Sequence, residues 1–154
     1  MRLLGIDYGD QRVGIAISDE LQSLAHAYRT LQSDSQLFPE IRKIVESEKV
    51  GLIIVGLPKN MDGSLGPSAA KAQSFASRLG TELVSIKILL WDERLTTVEA
   101  QRALHLAGKN ARQSKKMIDQ VAAQILLQSY LDSLQWTNTN RDSESSHPWN
   151  PLNG

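Results

Sequence analysis

The chain has 154 residues, and 17 Lys and Arg balance 17 Asp and Glu, so it carries no formal net charge. At this length one domain with a full hydrophobic core is the expected organisation, and neutral bulk charge argues against a general nucleic-acid binder. With no cysteine, disulfides and cysteine-based zinc sites are excluded. No apolar run approaches a membrane span, and the N-terminus reaches Asp7 too soon for a secretory signal, so a soluble cytoplasmic protein is expected.

In chain order, residues 2–7 read as a strand with Leu4 and Ile6 on one face. Residues 12–18 alternate Val13, Ile15 and Ile17 against Gly14, Ala16 and Ser18, the period-two signature of a strand. The turn-like link Tyr8-Gly9-Asp10-Gln11 predicts a hairpin, and a third strand is expected over about 25–31. A helix follows over 35–49, from the spacing of Leu37, Ile41, Ile44 and Val45, with Pro39 in its first turn. The run at 51–56 reads as a buried strand. A helix over 67–79 buries Ala72, Phe75, Ala76 and Leu79, with Gly80 as its stop, and 84–90 is the next buried strand.

Thr96-Thr97-Val98-Glu99 has the capping-box pattern and opens a helix to about 106, ended by Gly108. A last helix is predicted over 115–134, capped by Ser114, with the apolar row Ile118, Val121, Ala122, Ile125 and Leu126. Residues 135–154 lose periodicity and are expected to be a disordered or loosely held tail. Within the tail, residues 147–152 could serve as a short docking motif, although a floppy end is the preferred reading. The predicted architecture is an α/β domain over 1–134: a mixed five-stranded sheet, three antiparallel strands then two parallel ones, with helices on both faces. Ligands of such sheets lie at the carboxyl ends of the parallel strands.

Three carboxylates fall at or near those ends. Asp7 closes the first strand and shares a face with Leu3 and Gly5; taken alone it reads more readily as an Asx turn. Glu93 follows the last strand and precedes a capped helix, where an ordinary surface acid is also favoured by the helix dipole. Asp119 heads the helical row 119, 122, 126, 130, whose Ala122 and Leu126 should face the sheet; a salt bridge to Arg12 or Arg94 is its plain alternative.

Together the three suggest a site for Mg²⁺ or Mn²⁺, hard cations that take carboxylate oxygens. His26, His105 and His147 show no paired spacing, which argues against zinc. Metal-assisted phosphodiester hydrolysis is the reaction class that suits these residues. From Arg94 to Lys116 six basic residues (Arg94, Arg102, Lys109, Arg112, Lys115, Lys116) face Glu99 as the one acid, a local field able to hold a polyanion. Candidate substrate contacts are Arg12, Asn60 and Ser64 in the glycine-bearing loop 56–64, and Arg94, Thr96, Lys115 and Lys116.

The chain resembles the YqgF family, also described as pre-16S rRNA nucleases or Holliday-junction-resolvase-like proteins. The resemblance rests on Gly5-Ile6-Asp7-Tyr8-Gly9 with Arg12-Val13-Gly14-Ile15-Ala16 and Ser18-Asp19, and on Val55-Gly56-Leu57-Pro58 with Asn60-Met61-Asp62-Gly63-Ser64. Asp92-Glu93-Arg94-Leu95-Thr96-Thr97 and Asp119 with Ala122-Ala123 and Leu126-Leu127-Gln128 complete it, in order over residues 1–134. It implies a ribonuclease-H-like fold, an acidic triad falling on Asp7, Glu93 and Asp119, and a role at the 5′ end of 16S ribosomal RNA in ribosome biogenesis. Resolvases of related fold commonly have a fourth acidic or histidine ligand; only Asp10, Asp19 and Asp92 are candidates here.

Four functions follow for testing. A metal-dependent nuclease acting on structured RNA leads. A resolvase acting on branched DNA is the alternative in the same class, and its paired cuts would call for a homodimer. An ATP-binding module of the actin and sugar-kinase type shares a turn like Asp7-Tyr8-Gly9 but needs a longer chain. A non-catalytic RNA-binding factor would use the fold as a scaffold.

Overall fold

A computed structural model describes residues 1–95 and 115–145, with side chains over 1–94, 117–135 and at 137. The helix expected over 96–106, including Thr96, lies outside the described residues, as does the segment 147–152.

The strands are β1 (Arg2–Tyr8), β2 (Arg12–Ser18), β3 (Ala25–Gln32), β4 (Val50–Leu57) and β5 (Lys87–Asp92). They form one sheet in the order β3-β2-β1-β4-β5. β1 pairs antiparallel with β2, and β2 with β3; β1 pairs parallel with β4, and β4 with β5. The period-two pattern of β2 fixes its facing, because a one-residue slip would turn Val13, Ile15 and Ile17 out of the core.

Helices α1 (Leu37–Ser47) and α2 (Pro67–Glu82) pack on one face of the sheet. Leu4, Ile6, Ile15, Ile41, Ile53 and Leu79, all fully buried, fill the layer between. The last helix, α3 (Lys115–Ser145), covers the other face over β1, β2 and β3. Leu3, Ala16 and Ile54 there meet Ala123, Leu127 and Leu131. α3 can lie this low because β2 offers glycine: a Cβ on Gly14 would strike the Asp119 backbone carbonyl.

Several expectations need correction. α2 passes through Gly80 to Glu82, because Leu79 and Leu83 are both buried and the Leu83 N–H bonds the Leu79 carbonyl at 2.8 Å. A single glycine costs a helix about 1 kcal/mol, which that anchoring outweighs. β5 starts at Lys87 rather than at residue 84; Val84 is 87% exposed, and a turn closed by Ile86 N–H to Leu83 O takes up the intervening residues. The core-facing row of α3 is Ala123, Leu127 and Leu131 with Leu126, while Ile118, Val121, Ala122 and Ile125 are only half-buried. α3 also continues past 134 to Ser145. No helix among the described residues is long and apolar enough to cross a membrane.

Candidate active site

Alternation along β1 sends Asp7 to the α3 face, opposite Gly14 of β2 in register, while Tyr8 turns to the α1–α2 face. β5 ends at Asp92, and a 3₁₀ turn (Glu93–Leu95) begins at once. Glu93 thereby reaches back over β4, where a Cβ on Gly56 would lie 2.5 Å from Glu93 Oε1. Asp119 lies one helical turn before Ala123 in the buried row, so the shift of that row by one residue keeps it at the sheet edge.

Asp7 and Glu93 are half-buried and share a hydrogen bond. Burial first, then the charges of Glu93 and Asp119, push the Asp7 carboxyl up to about 7. Burial also raises Glu93, with the neighbouring Asp92 adding to the rise. Each carboxyl of the pair therefore favours its proton more than a carboxyl in water does. Asp119 is compensated: Arg12 Nε donates to its Oδ2 at 2.9 Å, with both side chains about three-quarters covered.

The structure thus brings Asp7, Glu93, Asp119 and Arg12 together. Among the described residues, no three His, Asp or Glu side chains form a ready-made metal cage. Asn60 and Ser64 turn toward each other, Asn60 Nδ2 donating to Ser64 Oγ at 2.9 Å, and the Ser64 hydroxyl donates to Asp62 at 2.6 Å. They shape the β4–α2 loop around Gly63, whose φ of 87° is a left-handed conformation that suits glycine.

Arg94 ties that loop to the site. Its guanidinium donates to both Asp92 oxygens, at 2.8–3.1 Å, and to the Met61 carbonyl at 3.5 Å. Lys59 adds a longer ion pair to Asp92 at 3.9 Å, and Arg94 beside it holds the Asp92 carboxyl below the usual range. Arg94, expected as a substrate contact, here braces the chain on either side of Glu93 through Asp92 and Met61. Sequence reasoning missed Asp92 and Lys59 in that role; the signal was an acid and an arginine directly flanking the key glutamate. Lys115 and Lys116 stand in the first turn of α3, their side chains outside the described ones.

Among solved structures, Thermus thermophilus RuvC in complex with Holliday junction substrate matches with a TM-score of 0.55 at 14% identity, over 86% of this chain and 96% of that one. The fowlpox virus Holliday junction resolvase matches with a TM-score of 0.54 at 13% identity, over 87% and 99%. The fold is ribonuclease-H-like, with the expected strand order.

Relatives are nearer in sequence. A protein of Thermoanaerobacter pseudethanolicus named "Putative pre-16S rRNA nuclease" is 48% identical over 136 residues, 86% of this chain and 97% of that relative. One of the same name from Clostridium botulinum is 46% identical over 136 residues, 87% and 98%. The family model described as "RuvX: Holliday junction resolvase" matches residues 1–133, so all three acids and Arg12 fall inside it, and the chain belongs to the RuvX family.

Proposed function

We propose that the protein is a metal-dependent nuclease that hydrolyses phosphodiester bonds of structured RNA at Asp7, Glu93 and Asp119, in maturation of the 5′ end of pre-16S rRNA. The observation that carries the reading is the hydrogen-bonded Asp7–Glu93 pair beside Asp119 at the carboxyl edge of the parallel strands. The relatives' printed name supports the substrate, and such a substrate would place the protein in the cytoplasm.

A divalent cation fits these residues. Three acids come together with Arg12 paired to one of them, and burial and the neighbouring charges raise Asp7, a crowding of carboxylates that a cation would relieve. The donors are carboxylate oxygens, the set that Mg²⁺ and Mn²⁺ prefer. Asp7 and Glu93 would hold the cation, with Asp119 available once Arg12 releases it. When bound, it would supply positive charge for the phosphate and the leaving oxygen.

The chain's own groups do the rest. Asp7 and Glu93 fix where the attack occurs: the water's oxygen bonds to phosphorus as its proton passes to solvent. The opposite P–O bond breaks, and the leaving oxygen takes a proton from solvent. Arg12 can exchange its carboxylate partner for a phosphate oxygen, since its fork suits both. The Asp92–Arg94–Met61 brace fixes the backbone from which Glu93 projects.

Branched DNA is the second reading, favoured by the description of the matching family. Cleavage of a 5′ leader–16S RNA fragment and of a four-way DNA junction, each with Mg²⁺ and with Mn²⁺, separates the two. The RNA is expected to be cut at least tenfold faster, on the order of 1.4 kcal/mol in the barrier. Cutting of the junction alone would assign a resolvase, and no cutting of either would leave an RNA-binding scaffold.

A further inference from the structure

On the sheet face opposite the acids, α1 and α2 leave a groove of about 570 Å³. That volume lies in the range of pockets that hold small ligands. Its floor is aromatic: Tyr8 stacks on Phe75 with ring centroids 4.5 Å apart, and Phe38 stacks on Phe75 at 5.7 Å. Its rim carries Arg78, whose guanidinium lies 4.6 Å from the Phe38 ring centroid, and Lys71, ion-paired to Asp10 at 2.7 Å. One acid, Asp34, also lines it. Tyr8 directly follows Asp7, and a smaller cavity of about 80 Å³ at the hairpin turn beyond Asp7, lined by Tyr8, Gly9, Asp10, Ser68 and Lys71, shares Tyr8 and Lys71 with the groove.

These features select a ligand that is flat and apolar in one part, anionic in another and able to donate a hydrogen bond. A ribonucleotide has all three: a base for the aromatic floor, a phosphate for Arg78 and a 2′-hydroxyl for Asp34. Arg78 has no carboxylate partner among the described residues, whereas Lys71 is already paired, so Arg78 is the cation best placed to meet the phosphate.

We propose that the α1–α2 groove holds a nucleotide of the single-stranded RNA flanking the scissile bond, which passes from the acids over the Gly9 turn to the Tyr8 side of the sheet. This rests on the RNA nuclease reading above. A duplex end alone would occupy the acidic side, and a single-stranded overhang would engage both sides.

The test is binding by fluorescence anisotropy, in EDTA, of a labelled RNA duplex with and without a ten-nucleotide single-stranded overhang. R78E and K71A lie on exposed positions of α2 and leave the catalytic acids untouched. R78E is expected to weaken overhang RNA about tenfold and blunt duplex less than twofold; K71A, already paired to Asp10, should have the smaller effect. In cleavage, R78E should raise KM for the overhang substrate with kcat unchanged. RNA carrying 5-iodouridine in the overhang should photocrosslink to peptides holding Tyr8 or Phe38.

Equal binding of both RNAs by R78E and wild type would overturn the proposal, as would crosslinks confined to α3. AMP binding as tightly as the overhang, with no gain from chain length, would make the groove a free-nucleotide site and also overturn it. Arg78-dependent binding without cleavage of any RNA would remove the nuclease reading and keep the groove.

Discussion

The two faces of the sheet are built on opposite plans. The α1–α2 face is packed with branched aliphatic side chains, and Leu4, Ile6, Ile15 and Ile53 are fully buried there. The α3 face of the same strands carries Gly5, Gly14 and Gly56, and over them lie Leu127, the backbone of Asp119 and the carboxylate of Glu93. Adjacent residues of β1 show the contrast, since Ile6 closes the core and Asp7 opens the site. Strand alternation thus lets one sheet keep its stability on one side and crowd carboxylates together on the other.

Substitutions on the two faces should therefore separate activity from stability. The largest effect is expected from Asp7→Asn: loss of metal-dependent cleavage by about a thousandfold, roughly 4 kcal/mol in the barrier, with the circular dichroism spectrum unchanged. On the other face, Leu79→Ala should cost about 3 kcal/mol in urea unfolding while kcat/KM stays within twofold below the transition. Gly14→Ala bridges the two plans, because its methyl group would push α3 and Asp119 away together. A loss of about 2 kcal/mol is expected along with reduced cleavage, and a change in stability alone would show that Asp119 is not needed where it stands.

The smallest effect lies in pH. Asp7 keeps its proton in the folded, cation-free protein up to about 7, whereas its unfolded value is 3.8. The folded state binds more protons between those values, so stability falls as pH rises through that window, and the penalty is complete above it. Cation-free wild type should lose stability between pH 4.5 and 8 from this source, and Asp7→Asn should lose less. Identical pH slopes in the two proteins, measured by denaturant titration, would show that the carboxyl titrates as it does in water.

Much of this organisation is legible in the amino-acid sequence. The alternation in β2 and the spacing of Leu37, Ile41, Ile44 and Val45 place their elements, because burial imposes those periods directly. Asp7 is legible as an acid at the end of a buried strand. Boundaries are harder: Gly80 reads as a stop until Leu83 is known to be anchored, and Val84 reads as a strand residue until it is seen in water. Arg94 reads as a substrate contact because the acid it pairs with is Asp92, two positions away across the strand end, and not the adjacent Glu93, a choice that spacing alone does not describe. The groove of Tyr8, Phe38 and Phe75 is assembled from three separate elements, so no local pattern announces it.

The most direct test of the nuclease site is Glu93→Gln in cells lacking the wild-type copy, with the 5′ ends of 16S RNA mapped by primer extension. The substitution keeps the side chain's size and its hydrogen bonding to Asp7 while removing the charge. Accumulation of the unprocessed 5′ end, with folded protein at normal abundance, is the predicted result. Mature 5′ ends at the wild-type level would contradict it.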